Sequence, residues 1–203
     1  MEIIASDCWK RFGKEWVFKN FTFHFEEDKS YAVVGNNGSG KSTLLKALAA
    51  TMPLNKGKFS YTHQQKAIEQ ENLYRYMTFA GPYTELVEEL TLQELLKFYQ
   101  HFKKLALSEA ELTEVLALPG VLNKPIRFYS SGMKQKVKLG LAFFTDCPLL
   151  LLDEPTSNFD RKNARWYADT VRSVRQKKLV IICSNQPEEY EFCDEILDMG
   201  SFK

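Results

Sequence analysis

Long apolar runs are missing from this chain. The longest, at 149–152 and 179–183, are only a few residues each, where a bilayer-crossing helix needs ~20. The chain is therefore expected to cross no membrane by itself. The opening Met1-Glu2 brings an acid, and no apolar segment of signal-peptide length follows, so no secretory signal is expected. Excess charge is missing too: 27 Lys and Arg stand against 26 Asp and Glu. No overall field draws a polyanion, and no nucleic-acid partner is expected. Cysteine is scarce. Cys8, Cys147, Cys183 and Cys193 have neither the paired spacing of a zinc site nor the density of a disulfide scaffold, and they read as reduced thiols of a cytosolic protein. Internal repeats and low-complexity linkers are absent. What is present is 203 residues, 44% of them hydrophobic, enough for one main domain with a sizeable core.

The order of apolar patterns predicts an α/β fold. The first thirty-odd residues read as strands, with Phe21, Phe23 and Phe25 alternating and a short run from Tyr31 to Val34 ending at Gly35. Leu44, Leu45, Leu48 and Ala49 then fall at helical spacing from Ser42 to about Thr51, with Pro53 as the stop. Two capping boxes open helices: Thr91 with Glu94, running to about Lys104, and Ser108 with Glu111, running to about Leu118. Residues 88–145 thus read as a helical insertion. The run ending at Asp153 has the continuous apolar character of a strand covered on both faces. A helix over 161–176, a buried strand over 179–183 and a short strand over 195–199 complete the β/α alternation.

Three segments carry chemistry. Gly35-Asn36-Asn37-Gly38-Ser39-Gly40-Lys41-Ser42-Thr43 lies between a strand and a helix, where glycines let successive backbone N–H groups turn into one anion-binding concavity. Lys41 is expected to reach the β- and γ-phosphates, and the Ser42 hydroxyl to bind Mg²⁺. The alternative is a fortuitous glycine turn. Asp153-Glu154 leaves the tip of a buried strand. Such acids can simply cap the next helix; beside a phosphate loop they read as a carboxylate that orients Mg²⁺ through a water, Asp153, and one that activates the attacking water, Glu154. The third segment, Tyr129-Ser130-Ser131-Gly132-Met133, opens a helix carrying Lys134, Lys136 and Lys138. It is either an ordinary capped helix with a solvated basic face or a second helix N-terminus for the γ-phosphate.

Together these segments resemble the nucleotide-binding domain of ATP-binding cassette (ABC) ATPases. Residues 35–43 match the Walker A motif and 149–154 the Walker B motif, 129–133 the signature, and Ser157-Asn158-Phe159-Asp160 the D-loop. The resemblance covers essentially all of residues 1–203 as a single domain. It implies a P-loop NTPase fold with a mixed-sheet RecA-like core, an N-terminal antiparallel β subdomain and an inserted helical subdomain of about 88–145. ATP and Mg²⁺ are the implied cofactors, with Ser42 and Asp153 on the metal. Lys41, Asp153 and Glu154 are the implied catalytic set. The implied state is a head-to-tail homodimer, or a heterodimer with a related ATPase, in which residues 35–43 of one subunit face Ser130 and Gly132 of the other. Asp160 belongs to the same nucleotide site by this resemblance. Phe12, ahead of Trp16, is the candidate for stacking on adenine, with core packing as the alternative for either.

The chain departs from the family pattern in three places. The signature has Ser131 for its first glycine and Met133 for its glutamine. The Q-loop glutamine is replaced by Pro82 or Tyr83, within Phe79-Ala80-Gly81-Pro82-Tyr83. The switch histidine is replaced within Cys183-Ser184-Asn185, where Ser184 or Asn185 can still offer a hydrogen bond to phosphate but neither titrates near neutrality. His24, His63 and His101 offer no obvious replacement. Slow rather than absent hydrolysis is expected. The leading expectation is the ATPase subunit of a multi-subunit, export-type transporter with separately encoded transmembrane permease subunits. It would be cytoplasmic and peripheral on the inner face of the inner membrane, docked through the helical insertion and Pro82–Glu94, with Leu86 and Leu90 among Glu85, Glu88 and Glu89; the alternative for that surface is a solvated amphipathic turn. The compact length, with no regulatory domain expected after residue 199, resembles small bacterial exporter subunits, including the haem-exporter type. The competing expectation is a slowly hydrolysing regulatory or scaffolding module. A non-transport ABC protein is disfavoured by the lack of a second cassette, coiled coil or metal-cluster motif.

Overall fold

A computed structural model describes residues 1–203. The chain runs β1 (Glu2–Phe12), β2 (Glu15–Phe25), β3 (Ser30–Val34), α1 (Lys41–Leu48), β4 (Lys56–His63), β5 (Lys66–Ile68), β6 (Met77–Ala80) and α2 (Leu92–Gln100). It continues with α3 (Glu109–Val115), α4 (Ser131–Phe144), β7 (Leu149–Asp153), α5 (Arg161–Val174), β8 (Leu179–Cys183) and β9 (Glu195–Asp198). Antiparallel and parallel pairing are segregated. One sheet has the order β2-β1-β4-β5 and the other β6-β7-β8-β3-β9, with every pair in the second parallel.

Strands β7 and β8, apolar except for Asp153 at the tip of β7, sit inside that parallel sheet and are buried along their whole length. Their side chains alternate between two cores, as the period of a strand requires. Leu149, Leu151, Leu179 and Ile181 join α1 and the antiparallel sheet through Leu44, Leu45, Phe21 and Phe25. Leu150, Leu152, Val180 and Ile182 face α4 and α5 through Leu139, Phe143, Tyr167 and Val171. A third cluster, with Leu92, Leu96, Leu112, Leu116 and Ile126, closes on Val137 and Leu141 of α4. Helix α4 is thus shared: one face packs on the sheet and the other gathers the helical segment.

Helix limits differ from the sequence expectation for local reasons. Helix α1 stops at Leu48, well before Pro53, because Ala50 turns left-handed at φ 57 and the Thr51 N–H reaches back to the Lys46 carbonyl at 3.0 Å, a Schellman-type ending. Helix α3 stops at Val115, with left-handed Ala117 just beyond it. Both capping boxes form as expected. Strands β4, β5 and β6 escaped the sequence pattern. The β4–β5 turn is made by Gln64 and Gln65, both at positive φ (49 and 64); that geometry belongs to hairpin turns whose usual markers are Asn and Gly.

Candidate functional site

Strand β3 ends at Gly35, and the loop that follows hands the chain to α1 at Gly40. Two of its glycines are dictated by geometry. Gly35 has φ 137, and a Cβ there would lie 2.8 Å from Ser39 Oγ; Gly40 has φ 104, and a Cβ would lie 2.5 Å from Val17 Cγ1. Gly40 is also the N-cap of α1 and gives it no side-chain cap, so the first-turn N–H groups of the helix are left for an anion. Lys41 is 5% exposed, and its ammonium arches back to the Gly35 carbonyl at 2.7 Å and the Asn36 carbonyl at 3.4 Å. The buried Ser39 hydroxyl has no hydrogen-bond partner. A phosphate fits this donor set: an uncapped helix start, an ammonium and an unspent hydroxyl.

Strands β7 and β8 bring the second half of the site. Asp153, at the tip of β7, is 2% exposed and accepts the Ser42 hydroxyl at 3.0 Å. Burial pushes its carboxyl above the usual range, while the Ser42 hydrogen bond pulls the other way and Glu154 adds to the upward push. A hydroxyl and a carboxylate side by side suit a hard divalent cation such as Mg²⁺. Glu154 is exposed and held at φ 45, a left-handed conformation costly for a non-glycine residue and concentrated at functional sites. Its N–H donates to the Cys183 carbonyl of β8 at 2.9 Å, and its side chain faces out. Gly81, directly after β6, packs on this tip: a Cβ there would lie 3.0 Å from Asp153 Cβ. Pro82 and Tyr83 are exposed beside it, with the Lys46 ammonium 4.7 Å from the Tyr83 ring centroid. The segment expected to be the Q-loop therefore borders the Ser42–Asp153 pair without a glutamine.

At the tip of β8 the two candidate residues stand in different surroundings. Ser184, expected at the nucleotide, is 1% exposed, and its hydroxyl accepts the Gln186 N–H at 2.9 Å. The residue that reaches the phosphate loop is Asn185, whose Nδ2 donates to Asn37 Oδ1 at 2.9 Å. The strand itself causes this, because Ser184 still follows the buried β8 ladder, its N–H bonded to the Val33 carbonyl at 3.2 Å.

Ser130, Gly132 and Asp160 gather elsewhere. They share a pocket with Met133, Lys136 and Asn163. Ser130 caps α4 by accepting the Met133 N–H at 3.2 Å, and Asp160 caps α5 by accepting the Asn163 N–H at 2.8 Å. Phe12, at the end of β1, is 53% exposed, which removes the core-packing alternative. Trp16 is 41% exposed and engaged edge-on with Trp9 and with the Arg11 guanidinium. Both lie on the β1–β2 hairpin, which Val17 brings against Gly40.

Two side chains around the site carried no sequence signal. Gln135 in α4 donates to the Pro155 carbonyl at 2.8 Å, fixing the turn after Glu154. Glu189 is 1% exposed and accepts the Thr156 N–H at 2.8 Å together with the Thr156 hydroxyl. In sequence, Pro187-Glu188-Glu189 reads as an ordinary acidic turn, and only the fold buries its last member.

The model of the ABC transporter family matches residues 18–157, spanning both strand tips and the signature segment. The cytochrome c biogenesis ATP-binding export protein CcmA of Rhizobium johnstonii is 28% identical over 193 residues, covering 92% of this chain and 89% of the relative. A putative ABC transporter ATP-binding protein from Pyrococcus furiosus superposes with a TM-score of 0.84 at 19% identity, covering 100% of both chains. The ATP-binding cassette MJ0796, solved as a dimer in a post-hydrolysis state bound to ADP and Pi, superposes with a TM-score of 0.80 at 20% identity, covering 97% of this chain and 93% of that one. The likeness to these structures concerns the fold, whereas the family match and the donor set at the two strand tips agree on the chemistry. The chain belongs to the ABC transporter family and is an ATP-binding cassette, an ATP hydrolase.

Proposed function

We propose that this chain is the ATP-hydrolysing subunit of a multi-subunit exporter, working as a head-to-tail dimer with separately encoded membrane subunits. One observation carries the hydrolytic part: Ser42 and Asp153 meet at 3.0 Å beside an exposed, strained Glu154. In this reading the start of α1 and Lys41 bind the phosphates of ATP, and Ser42 and Asp153 hold Mg²⁺. The metal, held by Ser42 and Asp153, would supply positive charge to offset that of the phosphates. Glu154 orients a water and accepts its proton as the water oxygen bonds to the γ-phosphorus; the bond to the bridging oxygen breaks, leaving ADP and phosphate. Ser130 and Gly132 of a second copy close on the same γ-phosphate from the uncapped side, and Phe12 stacks on adenine.

No helix is long and apolar enough to cross a membrane, and in this reading separate membrane subunits move the cargo. The groove between β6 and α2 supports their docking: it is lined by Tyr74, Phe79, Leu86, Val87, Leu95 and Phe98, among which Tyr74, Val87 and Phe98 are exposed. Leu86 and Leu90 turn partly into the helical core, leaving Val87 and Phe98 as the apolar contacts. Docked this way, the subunit is peripheral on the cytoplasmic membrane face. The similarity to CcmA, named as an export protein, favours export. A scaffolding role with slow turnover is favoured by a different observation: Asn185, which does not titrate near neutrality, is what reaches the phosphate loop from β8.

The test is steady-state phosphate release from the purified chain with Mg-ATP at several protein concentrations, beside Lys41→Ala and Glu154→Gln. Turnover that rises more than linearly with protein and falls by about 10²–10⁴-fold in Glu154→Gln is the expected result. Equal rates in wild type and both variants, with ATP still bound, would leave the scaffolding reading.

A further inference from the structure

Glu189 follows β8 in a turn that the sequence would leave in water, yet it is 1% exposed. A buried carboxyl is rare unless it is gripped by donors. Oε1 takes both groups that Thr156 offers, its N–H at 2.8 Å and its hydroxyl, while buried Oε2 has no partner. The residue cannot swing out easily: its N–H donates to the Gln186 carbonyl at 3.0 Å, and its own carbonyl accepts the buried Tyr167 hydroxyl at 2.9 Å. Burial pushes its carboxyl above the usual range. The Ser184 and Thr156 hydroxyls pull it back, and Glu154 adds to the upward push.

Thr156 stands two residues after Glu154, and Ser157 N–H closes that turn on the Glu154 carbonyl at 3.2 Å. Ser184 directly precedes Asn185, the residue that touches the phosphate loop. Glu189 therefore stands between the turn that carries the water-activating acid and the turn that carries the loop contact. A left-handed non-glycine residue such as Glu154, at φ 45, persists only where its surroundings over-determine it, and the Thr156–Glu189 pair is one such constraint.

We propose that Glu189 is a positioning residue for ATP hydrolysis, locking the Glu154 turn to the Ser184–Asn185 turn through Thr156 without touching nucleotide. The proposal rests on the hydrolytic reading above. An apolar residue could fill the same space but would leave the Thr156 N–H and hydroxyl without this acceptor.

The experiment measures kcat and KM for ATP in wild type, Glu189→Gln, Glu189→Ala and Thr156→Val, with Lys41→Ala as the inactive reference and thermal melts to confirm folding. Glu189→Ala is expected to lower kcat about tenfold with KM within about twofold, since small displacements of a reacting group cost rate rather than binding. Glu189→Gln, whose amide oxygen still accepts both Thr156 groups, is expected to keep kcat within about threefold. Thr156→Val should fall between them. A folded Glu189→Ala at wild-type kcat, or a Glu189→Gln as slow as Glu189→Ala, overturns the proposal. If Glu189→Ala does not fold, Thr156→Val decides, and wild-type kcat in that variant overturns it. A wild type no faster than Lys41→Ala overturns the hydrolytic reading along with it. A working wild type beside an equally fast Glu189→Ala removes the inference alone.

Discussion

The phosphate loop at 35–40 and the turn at 184–189 flank the same strand tips and are built on opposite principles. The first is made by backbone: glycines at φ 137 and 104, a helix start with no side-chain cap, and a lysine folded onto two carbonyls. The second is made by side chains: a buried serine, a buried glutamate and a threonine hydroxyl from the turn after β7. A loop specified by backbone tolerates little change at its glycines and much at its other positions. One specified by buried polar groups reverses this, because each lost partner leaves a buried donor or acceptor unsatisfied.

The sharpest way to break the comparison is at Gly40. Alanine there must hold φ 104 and place its Cβ 2.5 Å from Val17 Cγ1. Backbone strain and overpacking together predict a loss of ~2–4 kcal/mol, read by urea unfolding, with a matching loss of ATP affinity by titration. Adding Val17→Ala should relieve the clash and leave the strain, so recovery is partial. Full recovery would show that space rather than backbone conformation selects glycine here.

The second prediction addresses the side-chain turn through pH. Burial raises the Glu189 carboxyl in the folded protein, so the native state holds that proton more tightly than the unfolded chain. This contribution is fully present below the unfolded value and is lost as pH rises through the folded one. Urea unfolding of wild type measured against Glu189→Gln should therefore show wild type losing ground as pH increases over that interval. A difference independent of pH would mean that the Ser184 and Thr156 hydroxyls fully offset burial. Asp153, raised by its own burial, is common to both proteins and drops out of the comparison.

The same contrast governs what was legible in the sequence. The phosphate loop, the run ending at Asp153 and the capping boxes at Thr91 and Ser108 are local patterns, and each formed where its residues predicted. Likewise, α4 opens at Ser131 with Ser130 as its N-cap. The β4–β5 hairpin was not legible because its turn uses two glutamines in a conformation normally advertised by Asn-Gly. Neither the contact of Asn185 with Asn37 nor the burial of Glu189 could be read, since they depend on how far the β8 ladder continues and on a threonine in the turn after β7. Local chemistry is visible in a sequence; contacts made between distant strand tips are not.

The smallest expected effect lies at the one hydrogen bond that joins the two loops. Asn185 and Asn37 are both exposed, and their side chains meet at 2.9 Å. If the phosphate loop stands on its own backbone, Asn185→Ala should change stability by no more than about 0.5 kcal/mol. ATP affinity should move by less than about threefold, within the net worth of an exposed hydrogen bond. Urea unfolding and nucleotide titration on one preparation check both numbers. A much larger fall in affinity would mean that the loop depends on the β8 turn for its shape, and the division between a backbone-built and a side-chain-built half would fail at their point of contact.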